Sequence, residues 1–268
     1  MKLTVLVDNN TYIDEYYFGE PAVSYYIEAE DKRILFDAGY SDIFLKNAQK
    51  MGIALGKLTH VVLSHGHNDH SEGLKYLHAE IGLQNIKVIA HPDCFFPKYY
   101  DNLFIGSPYS VSEIETIADY HPSKMPYPIT DNLIFLGEIP RKTSFENQHA
   151  IGKYEKDGIL HDDYLIDDSA MVYKTCQGIF IITGCSHSGI CNIIEYAKEI
   201  CDDKRVIGVL GGFHLFEDNE QLRKTISYLQ KCEIKQFYPC HCVSLLAKAK
   251  MMEKLPVLEV GVGMKLEL

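Results

Sequence analysis

The chain has 268 residues, 46% of them hydrophobic, and a formal net charge of −11 at pH 7. That length can bury a large core, while an acidic balance without clustered Lys and Arg excludes a groove for nucleic-acid phosphates. With no apolar run long enough to span a bilayer, and a start (Met1 to Asp8) that reads as a short strand and not a signal peptide, a single cytoplasmic domain over residues 1–268, without membrane attachment, is expected.

The eight cysteines lack a compact framework and read as reduced thiols. Residues 22–29 and 33–39 are strand patterns separated by Glu30, Asp31 and Lys32, which predicts a hairpin. The second strand ends in Asp37-Ala38-Gly39. Asp37 is placed either behind the histidine-rich loop that follows the next strand, orienting an imidazole there, or as a simple turn cap.

The apolar run 58–63 leads into Ser64-His65-Gly66-His67-Asn68-Asp69-His70, which sets three imidazoles and a carboxylate in residues 65–70. Neutral imidazole and carboxylate suit Zn, Fe and Mn, and this density supplies more than one ion. Alternate residues of an extended segment point the same way, so His65, His67 and Asp69 are expected to converge above the strand end, with His70 turned aside. A helix follows with Leu74, Leu77 and Ile81 on its apolar face and His78 on its surface. Residues 87–90 form the next strand, after which His91 is a pocket residue or, more commonly for its type, structural.

Seven of the ten prolines fall in residues 92–140, together with many Phe and Tyr. This aromatic, proline-rich insert walls a pocket or packs against another copy of the chain, so a homo-oligomer is compatible with it. His121 within it is read as structural. Residues 136–146 read as a strand and a polar loop, where Arg141 either meets an anionic substrate group or is simply exposed.

The second half repeats one pattern three times. Strand 178–183 delivers Gly184-Cys185-Ser186-His187-Ser188-Gly189 ahead of an amphipathic helix with Ile190, Ile193, Ile194, Ala197 and Ile200. Strand 205–210 delivers Gly211-Gly212-Phe213-His214, and 235–238 delivers Pro239-Cys240-His241-Cys242. Between the last two, Asp218 and Gln221 predict a capped helix start. Three strand-end histidines in a chain that already carries a metal motif are read as site residues.

The His-x-His-x-Asp-His order of residues 65–70 resembles the metallo-β-lactamase superfamily. Gly-Cys-Ser-His-Ser-Gly-Ile at 184–190, Gly-Gly-Phe-His-Leu at 211–215 and Pro-Cys-His-Cys at 239–242 look like its branch of dihydropterin and ribofuranosylaminobenzene phosphate synthases. Ser24, the Asp37 loop and Asp167-Asp168 extend the likeness over almost the whole chain. The resemblance implies an α/β fold, a four-layer αβ/βα sandwich of two facing mixed sheets with outer helices. It also implies two divalent transition-metal ions, zinc first, with manganese and iron as alternatives. His65 and His67 would hold one metal, Asp69 and His70 the other.

The superfamily's usual third His, in a Gly-His-x-x-Gly setting, is missing, and His149 has no such surroundings; that role is given to His187. Cys185 stands where a bridging Asp is usual, as a thiolate ligand or a small packing group. His241 is assigned to the second metal. His214 is then left for substrate binding or proton transfer, and it replaces His187 or His241 if the alignment differs. The expected function is a metal-dependent hydrolase with a metal-activated water, in which Asp69 and His214 act in catalysis. Ser186, Ser188 and the free amides of the helix that follows, with Arg141, would hold the phosphate of a phosphorylated small molecule. The alternatives are a synthase-like transferase and, third, a redox di-iron or non-catalytic metal protein.

Overall fold

The computed structural model describes residues 1–146 and 148–268. The chain forms two compact units, one of Met1–Lys124, His149–Asp167 and Gly261–Leu268, the other of Met125–Gln148 and Asp168–Val260.

In the first unit a seven-stranded sheet runs in the order Lys265–Glu267, Lys2–Val7, Ser24–Ala29, Lys32–Phe36, His60–Val62, Lys87–Ala90, Asp119–Pro122. The expected hairpin is present, with Ala29 opposite Lys32, and from Lys32–Phe36 onward the strands are parallel. Parallel strands need crossovers, and helices Ile43–Lys50, Leu74–Ile81 and Val111–Ile117 lie between them in the chain. Phe44, Ala48, Leu74, Leu77 and Ile114 from those helices join Leu35, Val61 and Val88 in one buried cluster. A smaller antiparallel sheet comprises Ile159–Asp162, Lys153–Lys156, Lys98–Tyr100 and Leu103–Phe104.

The second unit has a six-stranded sheet in the order Gln236–Pro239, Val206–Gly211, Gly178–Thr183, Ala170–Thr175, Leu133–Phe135, Tyr127–Pro128. Its first three strands are parallel, and their β-branched side chains pack with Ile190, Ile193 and Ile194 of helix Ile190–Cys201 and with Leu222, Ile226 and Leu229 of helix Glu220–Lys231. Among the described residues no helix is long and apolar enough to cross a membrane.

Local differences from the sequence reading have local causes. The strand expected over 33–39 stops at Phe36, because Asp37 takes a left-handed φ of 56°. The segment after His67 is not extended: Asn68–Ser71 is a helical turn, so Asp69 is carried by that turn. The helix cap near 218 is Asn219, whose side chain accepts the Leu222 amide, while Asp218 pairs with Arg223. The strand expected at 136 lies earlier, at Leu133–Phe135. The aromatic stretch 92–140 is shared out: Lys98–Tyr100 and Leu103–Phe104 enter the small sheet, Asp119–Pro122 the seven-stranded one, and Tyr127–Pro128 and Leu133–Phe135 the six-stranded one.

Candidate metal centre

Each unit delivers donors from the carboxyl ends of its parallel strands, where α/β sheets present their ligand-binding loops. In the first unit His65, His67 and His70 follow strand His60–Val62, with His65 and His70 fully buried and His67 8% exposed. Their rings gather closely: His65 lies 4.7 Å from His67 and 4.2 Å from His70, centroid to centroid. Asp69 Oδ2 is 3.5 Å from His70 Nε2.

Asp37 organises this group from beneath. Its Oδ1 accepts the Ser64 amide and its Oδ2 accepts the Ser64 hydroxyl, both at 2.7 Å, while His70 Nδ1 lies 2.7 Å from Oδ2. Opposite a carboxylate, Nδ1 of His70 carries a proton, so Nε2, on the side of Asp69, is the nitrogen that would meet a metal. The Ser64 hydroxyl also sits 2.9 Å from His65 Nδ1. Of the two roles open to Asp37 in the sequence, the geometry shows it orienting an imidazole. Burial holds the His67 imidazole neutral, down to about 4, against the pull of Asp69. Buried imidazoles with one partly exposed carboxylate suit a divalent transition metal.

Gly66 is required by the tightness of this turn, since a Cβ there would overlap the Cys94 carbonyl oxygen. Its amide donates to Asp167 Oδ2 at 2.9 Å.

In the second unit the donors come from three strand ends. Cys185 is 3% exposed, and its sulfur lies within 4.8 Å of a ring nitrogen of His187 and of one of His241. The His214 ring lies tilted against His187, with centroids 4.4 Å apart, and meets Phe216 edge-on at 4.8 Å. Ser186, His214 and His241 all have left-handed backbones, with φ of 58°, 50° and 51°. Such conformations are uncommon outside glycine and cost on the order of 1 kcal/mol each. Together with Asp37, they place strained residues after four different strands, at the positions that carry the polar groups.

The residues read as a phosphate cradle have partners inside the protein. Glu146 accepts the amides of Cys191 and Asn192 at 2.8 and 3.0 Å, together with the Thr143 hydroxyl at 2.9 Å. The start of helix Ile190–Cys201 therefore already holds a carboxylate, and the expectation that its amides are free for phosphate is corrected. The Ser188 amide and hydroxyl donate to Asp168 Oδ2 at 2.8 and 2.5 Å, and the Ser186 hydroxyl donates to the Gly212 carbonyl at 2.6 Å. Burial pushes the Asp168 carboxyl up to about 6, against the hydrogen bonds of Ser188 and the charge of Arg141. Arg141 is half-buried and His149 exposed. His91 is buried and caps the turn Pro92–Phe95 by accepting the Asp93 amide, and His78 bonds the Tyr109 hydroxyl at 2.9 Å.

Sequence reasoning missed Lys98, Asp163, Ser64 and Glu146. Ser64 was legible as the neighbour of the motif. The others act over 45 or more positions of sequence, where no local pattern reveals them.

The family model of the metallo-beta-lactamase superfamily matches residues 17–149. Over 253 residues the chain is 38% identical to an uncharacterized protein of Methanocaldococcus jannaschii, covering 94% of each. It is also 30% identical to the 7,8-dihydropterin-6-methyl-4-(β-D-ribofuranosyl)-aminobenzene-5'-phosphate synthase of the same organism, over 95% of this chain and 91% of that one. The chain belongs to the metallo-β-lactamase superfamily. Among solved structures, a metal-dependent hydrolase of the β-lactamase superfamily superposes with a TM-score of 0.85 at 28% identity, covering 100% of this chain and 99% of the other. The α/β architecture described above is thus the metallo-β-lactamase fold, and the histidine-rich loop 65–70 lies within the span matched by the family model.

Proposed function

We propose that this metallo-β-lactamase-superfamily protein is a metal-dependent hydrolase with a dinuclear site, acting on a phosphorylated small molecule. The reading assigns His65, His67 and His187 to one divalent metal and Asp69, His70 and His241 to the other, with Cys185 contributing its sulfur. The observation that carries it is the buried imidazole cluster of residues 65–70, with His70 preset by Asp37 to offer Nε2 beside Asp69. The position of Cys185 within 4.8 Å of both His187 and His241 supports its inclusion. When bound, divalent metals supply Lewis acidity and an acidified water.

The protein's own groups do the rest. Asp69, at 28% side-chain exposure, keeps a carboxylate oxygen toward the reacting water and orients it. His214, half-buried and tilted against His187, holds a proton at a ring nitrogen for the leaving-group oxygen. Zinc is the first candidate metal, with manganese and iron next. With the helix start taken by Glu146, the metals and Arg141 remain to meet the substrate's phosphate. The likeness to a structure described as a metal-dependent hydrolase favours hydrolysis. A second reading, condensation of a pterin pyrophosphate with ribosylaminobenzene phosphate in which pyrophosphate leaves as the new bond forms, is favoured by the 30% identity to the synthase.

The decisive experiment determines metal content and then assays phosphomonoesters, phosphodiesters, lactones and thioesters, alongside a pterin pyrophosphate with ribosylaminobenzene phosphate. About two ions per chain and turnover of a phosphoester are expected. A metal content that never exceeds one ion per chain under excess Zn or Mn would refute the dinuclear assignment, and condensation without hydrolysis would favour the transferase.

A further inference from the structure

The second carboxylate that grips the ligand loop, Asp167, belongs to a buried charge network outside the motif. Lys98, on strand Lys98–Tyr100 of the small sheet, is 1% exposed, and its ammonium donates to Asp163 Oδ2 at 2.8 Å and to Asp167 Oδ1 at 3.1 Å. A cation so buried persists only when paired, and here two carboxylates surround it. The other oxygen of Asp167 accepts the amide of Gly66, the residue between His65 and His67. Asp163 uses its remaining oxygen on the Leu165 amide. Gly66 is confined on its other side by the Cys94 carbonyl and by the Lys98 side chain itself, whose Cε lies 3.0 Å from where a Cβ would stand. The turn carrying the two imidazoles is therefore held at the Gly66 amide by Asp167 and packed closely at the Gly66 Cα by Cys94 and Lys98.

We propose that Lys98 is a positioning residue of the metal centre: by anchoring Asp167 it fixes the Gly66 amide and so presets His65 and His67 for the metal they share. This rests on the ligand assignment of the preceding section. Without Lys98, Asp163 and Asp167 would be buried carboxylates of like charge facing one another, and Asp167 would turn away from Gly66. Asp163 anchors Lys98 but does not touch the ligand loop, which makes it the internal control.

The test is Zn²⁺ affinity of the folded protein, by competition with a chromophoric chelator, beside thermal stability. Lys98→Met and Asp167→Ala should each weaken affinity about tenfold to a hundredfold, the range for groups that orient ligands from outside the coordination sphere. Asp163→Asn should lower stability while leaving affinity within about twofold, because Asp167 keeps both Lys98 and Gly66. Should Lys98→Met or Asp167→Ala fail to fold, Asp167→Asn carries the test: it keeps an oxygen for Gly66 but loses the charge that Lys98 anchors, and affinity should still fall several-fold. Unchanged affinity in every folded variant of Lys98 and Asp167, or an equal loss in Asp163→Asn, overturns the positioning role. His65→Ala separates the two levels of the argument. If it binds Zn²⁺ as tightly as the unaltered protein, the ligand assignment itself fails, whatever Lys98 does.

Discussion

The two units present their donors in opposite ways. In the first, the four candidate ligands occupy one loop and one helical turn, and two carboxylates distant in sequence hold them: Asp37 through Ser64 and His70, Asp167 through Gly66. In the second, Cys185, His187, His214 and His241 follow three separate strands, and Ser186, His214 and His241 adopt strained left-handed backbones. A contiguous motif allows one peptide to set several ligands at once and needs clamps from outside. A dispersed set relies on the parallel sheet to align three strand ends, and each loop then aims its own side chain at a local conformational cost.

The largest test of this contrast is at the contiguous loop. Asp69→Ala removes a proposed ligand that is partly exposed and outside the core, so the fold should survive while the proposed hydrolysis falls about a thousandfold, the rate equivalent of several kcal/mol of lost metal assistance. Retained activity with both ions bound would remove Asp69 from the chemistry.

Among the dispersed donors the effects should divide. His187→Ala is expected to lower metal content and activity together, whereas His214→Ala, at the ring between His187 and Phe216, should keep the metal and lose turnover. The opposite pattern would exchange the two roles. Cys185→Ala tests the sulfur in the same titration: a ligand predicts weakened binding, which Cys185→Asp restores by supplying a carboxylate. A packing group predicts both ions retained in Cys185→Ala, with the buried, charged Asp as the damaging change.

Next in size is the clamp. Asp37→Asn keeps a side chain that tolerates the left-handed backbone but removes the charge facing His70 Nδ1. Metal affinity should drop about tenfold to a hundredfold with a small change in stability. An unaltered affinity would leave Asp37 as a turn cap only.

How far the sequence revealed this molecule follows the same division. Elements with strong periodicity were legible nearly to the residue: the strand Gly178–Thr183, the hairpin around Glu30 and Asp31, and the helix beginning at Ile190. The candidate donors stood out because strand-end His and Cys recur in short motifs, and the strand ends are where the fold puts them. The supports were not. Lys98 finds Asp163 and Asp167 across 65 and 69 positions, and Glu146 reaches the helix start across 45, so folding alone brings them together. Glu146 also shows why the phosphate cradle was misread: a helix start looks vacant in sequence until tertiary structure supplies a carboxylate.

The last expected effect is on stability, not on metal or turnover, and concerns Asp168, which holds Ser188 beside His187 in the dispersed set. Burial raises its folded-state pKa to about 6, above the ordinary carboxylate value of 3.8. Between those two values the folded protein binds a proton that the unfolded chain has lost, so this group's contribution to stability falls as pH rises from about 4 to about 6 and stays lost above. Two pKa units correspond to about 3 kcal/mol, and rearrangement of the Ser188 loop would reduce that. Asp168→Asn cannot ionise and still offers an oxygen to Ser188. The metal-free variant should therefore lack the decline from pH 4 to 6 that the unaltered protein shows in denaturant titrations. Parallel profiles for the two proteins would mean that Asp168 is solvated well enough to ionise normally.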